Sequence, residues 1–126
     1  MKFEVELSDD GTHVRIRVFT PITEELTREF TAAAIGLANQ HGILKYLVDV
    51  RRAKNISSTI SQYQMGYEDL AKVSFSRKSM IAVVYRAGDT SHNFVETVMA
   101  NAGFNCKLFE EDDAAALKWL HRKPAV

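Results

Sequence analysis

The chain has 126 residues, 16 basic against 16 acidic side chains, and an apolar share of 46%. Balanced charge gives no field to draw in a polyphosphate backbone or an anionic membrane, which argues against nucleic-acid binding. The size and composition fit one globular domain over residues 1–126, and no apolar run approaches the roughly 20 residues needed to cross a bilayer.

Phe3, Val5 and Leu7 alternate with charged residues, Ser8-Asp9-Asp10-Gly11 reads as a turn, and Val14, Ile16 and Val18 alternate again. This predicts an antiparallel hairpin with one wet face, placed at a sheet edge. Thr20 before Pro21 reads as an N-cap with proline at the first helical position, and Glu24 and Glu25 suit the start of a helix dipole. Ile22, Leu26, Phe30, Ala33 and Leu37 then recur at helical spacing as far as Gly42, a candidate left-handed cap. Residues 43–50 are mostly apolar and predict a strand of a parallel sheet.

A second helix is predicted from about Ser58, with Ile60, Tyr63, Tyr67, Leu70 and Ala71 on one face, followed by the basic loop at Arg77 and Lys78. Residues 80–85 form the most apolar strand. Asp89, Thr90 or Ser91 is placed to cap a third helix with Phe94, Val95, Val98, Met99 and Ala102 on one face, closed by Gly103. Residues 104–109 return to extended form. The last helix begins among Glu110, Glu111, Asp112 and Asp113, runs through Leu117 and Leu120, and carries Lys118, Arg122 and Lys123 at its negative end.

The resulting order, ββαβαβαβα, predicts an α/β domain with a mainly parallel sheet, an antiparallel N-terminal edge strand and helices packed on it. With Leu47-Val48-Asp49-Val50 ending a strand in an acidic residue, Ile56-Ser57-Ser58-Thr59 opening a helix, and the acid-rich start of the last helix before Trp119 and Leu120, the chain resembles the SpoIIAA-like fold. That fold is shared by the STAS domains of anti-sigma-factor antagonists and sulphate transporters and by small stand-alone bacterial proteins. The resemblance places the antagonists' phosphorylatable serine at Ser58, although Ser57 stands where they have an acid and Ile60 where they have glycine. It implies a regulatory or binding module, which takes a protein partner or a small ligand, rather than an enzyme.

Ligands of open α/β sheets gather beyond the carboxyl ends of the parallel strands, where helix N-termini point. The loops expected there carry Arg51, Arg52, Ser57 and Ser58, then Arg86, Asp89, Ser91 and His92. Cations and hydroxyls beside helix N-termini suit an anion such as phosphate or a carboxylate; the plainer alternative makes the serines N-caps and the arginines solvated. Asp89 and His92 are spaced for a proton-transfer pair, the basis of an alternative reading as an enzyme on an anionic substrate. A further alternative is a carrier of a lipid-like or apolar small molecule, with Tyr63, Tyr67, Phe94 and Val98 lining its pocket. Tyr63, Met65, Tyr67 and Phe75 are more large side chains than one helix face can hide, which points to a partner surface, a homodimer contact or the lid of an apolar pocket.

No two of the four histidines stand at metal-ligand spacing and there is no nucleotide-binding motif, so neither metal nor cofactor is expected. Cys106 is the one cysteine, expected as a buried, inert thiol, and Met1-Lys2-Phe3-Glu4 lacks the apolar core of a secretory signal. The expected compartment is the cytoplasm.

Overall fold

A strand whose side chains alternate between apolar and charged must bury one face and wet the other, and the first two strands do this. In the computed structural model, which describes residues 1–57 and 75–122, β1 (Phe3–Leu7) pairs antiparallel with β2 (Val14–Val18). Helix α1 (Glu24–His41) follows, then β3 (Lys45–Asp49), β4 (Met80–Tyr85), α2 (Asn93–Asn101), β5 (Asn105–Glu110) and α3 (Asp113–Leu120). The sheet order is β1-β2-β3-β4-β5, every pairing after the first being parallel. The second helix expected from Ser58, with Tyr63, Met65 and Tyr67, lies outside the described residues.

One face of the sheet presents Val14, Ile16, Val18, Tyr46, Val83 and Cys106 to the main core, where α1 packs on β1 and β2 and α2 on β5. The opposite face presents Leu47, Ala82 and Val84 to α3, which covers β3 to β5 with Ala116, Trp119 and Leu120. β1 and β2 extend beyond α3, so the outward side chains of this hairpin stay polar and pair across the strands, Arg15 with Glu6 at 2.5 Å and Arg17 with Glu4 at 3.7 Å. This is the wet face that the alternation requires.

Helix starts depart from the sequence reading at two points. Thr23, not Thr20, caps α1 by accepting from the Leu26 amide. The cause lies just upstream: Ile22 donates to the Lys54 carbonyl, accepts from the Ile56 amide and makes a parallel bridge with Asn55, so the chain stays extended past Pro21. Within α1 the buried stripe is Leu26, Phe30, Ala34, Ile35 and Ala38, one position round from Ala33. Asp89 spends its carboxylate on the Ser91 amide and Ser91 its hydroxyl on Asn55, so α2 starts after His92 with no side-chain cap. Phe94 is 40% exposed rather than part of the buried face. The left-handed cap at Gly42, with φ 66°, is as expected, and the last helix starts within the acidic run, capped by Asp112, which accepts from the Ala115 amide.

Two local features carry predictions. Ser79 is 1% exposed and its hydroxyl is without a partner among the described residues. An unsatisfied buried hydroxyl is unfavourable, so Ser79→Ala is expected to leave stability unchanged or raise it by up to about 1 kcal/mol in urea denaturation; a loss larger than that contradicts the assignment. His13 is buried at the hairpin turn, with the His121 ring edge-on at 5.7 Å. Burial lowers its pKa below the ordinary 6.5, and repulsion from His121, Arg15 and Lys45 adds to this against the pull of Asp10. The unfolded chain then binds this proton more readily than the folded one, so the contribution of neutral His13 is complete above pH 6.5 and is lost as pH falls below it. The melting temperature is expected to decline below that point, less steeply in His13→Gln; identical acid profiles for the two proteins would rule His13 out as the cause.

Candidate functional site

Among the described residues, α1 sits over β1 and β2 and α2 over β5, and a space lies between these helices and the sheet. It is a cavity of about 170 Å³. Its described walls include Phe30, Ala34 and Ile35 of α1, Tyr46 and Val48 of β3, Ile81 and Val83 of β4, Val98 and Met99 of α2, and Cys106 of β5. The alternation that builds the main core thus also lines the cavity, and its walls are overwhelmingly apolar. Phe75 closes on Tyr46, ring centres 5.4 Å apart, and on Phe104 at 5.2 Å. Burial pushes the Tyr46 phenol up to about 12 and, with the charge of Glu96, the Cys106 thiol up to about 12, so both are neutral at ordinary pH.

The polar side chains of the cavity wall include Glu24, Thr27 and Thr31 of α1 and, in the loops after the strands, Asn55, Ser57 and His92. The His92 ring is 2% exposed and spans two loops: Nε2 lies 2.9 Å from the Ala53 carbonyl oxygen and 3.4 Å from a carboxylate oxygen of Asp89. A carbonyl only accepts, so Nε2 carries the hydrogen and donates it. The Asp89 carboxyl is raised by its partial burial, but the hydrogen bonds from Ser91 and the charges of His92 and Lys54 outweigh this and hold it below the usual range. Asn55 Oδ1 takes both the amide and the hydroxyl of Ser57, the hydroxyl at 2.6 Å. Asn55 in turn donates its amide to Ser91. These contacts tie the loop after β3 to the loop after β4.

The rim residues singled out in the sequence divide between the two faces of the sheet. Ser57 and His92 line the cavity, with Asp89 and Ser91 bracing that end from behind. Arg51 and Arg52 instead line a charged cleft on the α3 side, with Arg15, Arg17, Asp49 and Asp113. Arg51 grips Asp49 through two hydrogen bonds, of 3.0 and 2.7 Å, and reaches Asp113 at 3.1 Å. Burial raises the Asp49 carboxyl, but Arg51 and the charge of Arg17 overcome it and hold it low. Arg52 lies over the Phe19 ring, 5.9 Å from its centre, and Arg86 is exposed on the loop after β4. Ser58, Tyr63, Met65 and Tyr67 lie outside the described residues; Phe75 is in the cavity wall, as is Val98, whereas Phe94 is not.

The wall residues Ala34, Tyr46 and Asn55 were not singled out from sequence, and Phe30 and Met99 were expected only as members of apolar helix faces. Tyr46 alone left a signal, as a phenol in an otherwise aliphatic strand.

No family model and no curated protein matches the chain. Among solved structures it is similar to the crystal structure of an uncharacterized DUF3478-family protein with a SpoIIAA-like fold from Shewanella loihica PV-4. The two share 18% identity over 94% of this chain and 91% of that one, with a TM-score of 0.59. The five-stranded sheet with its single antiparallel edge and its helices on both faces is therefore a SpoIIAA-like fold.

Proposed function

We propose that this protein is a non-catalytic SpoIIAA-like binding module that takes a small apolar molecule into the cavity between α1, α2 and the sheet. The observation that carries this reading is the cavity itself. Protein interiors rarely leave voids much larger than a water molecule. An apolar space of about 170 Å³ leaves the side chains that line it without packing partners when empty, and an apolar guest supplies them. The charged groups nearby favour an apolar ligand over an anion: Arg51 is already neutralised by two carboxylates, and Asp89 stands behind His92.

The test uses toluene as probe and an α1 variant that fills the space. Toluene at ten times its dissociation constant is expected to stabilise the protein by about 1.4 kcal/mol, a rise of about 5 °C in melting temperature. Ala34→Met places a flexible side chain in the cavity, so it should melt higher than the parent and no longer respond to toluene. A parent protein that toluene leaves unmoved, or a variant that responds equally, sinks the reading.

A further inference from the structure

Charge that cancels over the whole chain does not cancel along the sheet, and we propose that the basic end of the sheet docks on an anionic lipid surface. The strand register sets Lys45, Met80 and Asn105 side by side where β3, β4 and β5 begin, and Met80 donates its amide to the Leu44 carbonyl. This end therefore gathers Lys45, Lys78 and Lys107. Arg77 joins them, its Nε donating to the Ala102 carbonyl just before β5, as does Arg122, which follows α3 where His121 meets His13. All but half-buried Lys45 are exposed, and none of them is in an ion pair among the described residues. Against them stand Asp9 and Asp10 of the hairpin turn, and Asp10 already accepts from Ser8 and Thr12. The acids Asp49, Asp89, Glu110, Glu111, Asp112 and Asp113 collect at the opposite end of the sheet. Arg77 and Arg122 lie at helix C-termini, where the dipole favours cations, but Lys45, Lys78 and Lys107 answer no such end. Beside these lysines Leu44 is 42% exposed, an apolar side chain placed to enter a headgroup layer. A row of cations across one end of a sheet suits a laterally uniform surface, because no fixed spacing of anions has to match it. Each cation near such a surface strengthens binding about fivefold, and salt screens the effect. The acids at the far end orient the approach.

Flotation of the intact protein with vesicles of phosphatidylcholine, alone or mixed with phosphatidylserine, tests this. Binding to the mixed vesicles only, lost in high salt, is expected. Lys45→Gln and Lys78→Gln should each weaken it about fivefold, whereas Arg86→Gln, an exposed cation at the acidic end, should leave it unchanged. Equal binding to both kinds of vesicle, binding to neither, or equal weakening by Arg86→Gln overturns the docking face. So does capture of polyglutamate by a protein that vesicles leave unbound, since the partner would then be an acidic protein. Docking does not depend on what fills the cavity: toluene binding without vesicle binding removes the docking face alone, and vesicle binding without toluene binding removes the cavity reading alone.

Discussion

Leu120→Ala is expected to cost about 3 to 4 kcal/mol and to lower the melting temperature by about 10 to 15 °C. Helix α3 has only eight residues, too few to be stable alone in water, so it exists because its apolar stripe is buried. Leu120 is fully buried in the cluster that holds α3 to Leu47, Ala82 and Val84. Truncation removes the transfer free energy of the lost methyl groups and leaves a void at the end of the helix, where Ala116 and the Ala82 position are too small to fill it. Leu117, only partly buried in the same cluster, is the internal comparison and should cost about 1 kcal/mol as alanine. Thermal unfolding of the two variants decides the matter: equal losses would mean that α3 is not anchored through Leu120.

The second large effect is expected at His92. His92→Ala deletes the bond to the Ala53 carbonyl, leaves that carbonyl in a 3%-exposed residue without its donor, and enlarges the existing cavity. The lost bond to a buried acceptor and the added void together come to about 3 kcal/mol. His92→Gln keeps an N–H donor at comparable reach and should recover part of the loss. Urea denaturation of both variants checks this. Equal destabilisation by alanine and glutamine would show that ring volume, not the tie between the two loops, is what matters.

Much of the architecture could be read from local pattern because it is enforced locally. The alternation from Phe3 to Val18 determines which side chains meet α1, and Gly42 and Asp112 end and begin helices through their own backbone and side-chain geometry. Where the reading slipped, a distant residue had intervened. Thr20 and Pro21 carry the marks of a helix start, yet Ile22 is drawn into pairing with residues 54–56. Asp89 and Ser91 have the chemistry of caps, but Asn55, 36 residues from Ser91, claims the serine hydroxyl.

The site was less legible for the same reason. The spacing of Asp89 and His92 brings the two within 3.4 Å, but nothing in it shows that the ring is buried against Ala53, 39 residues away. The loop cations were expected on one rim, and which face of the sheet each takes depends on packing: Asp113 of α3 draws Arg51 away from Ser57. A void between two helices is a difference between volumes contributed by several elements, and no short stretch of sequence encodes it.

Pressurising crystals of the unmodified protein with xenon tests the central claim most directly, since xenon enters dry apolar cavities without needing a hydrogen-bond partner. The account predicts a xenon peak enclosed by Phe30, Tyr46, Val83 and Met99, absent from crystals of Ala34→Met. Side chains closed over that position, with no xenon among them in the parent protein, would contradict it.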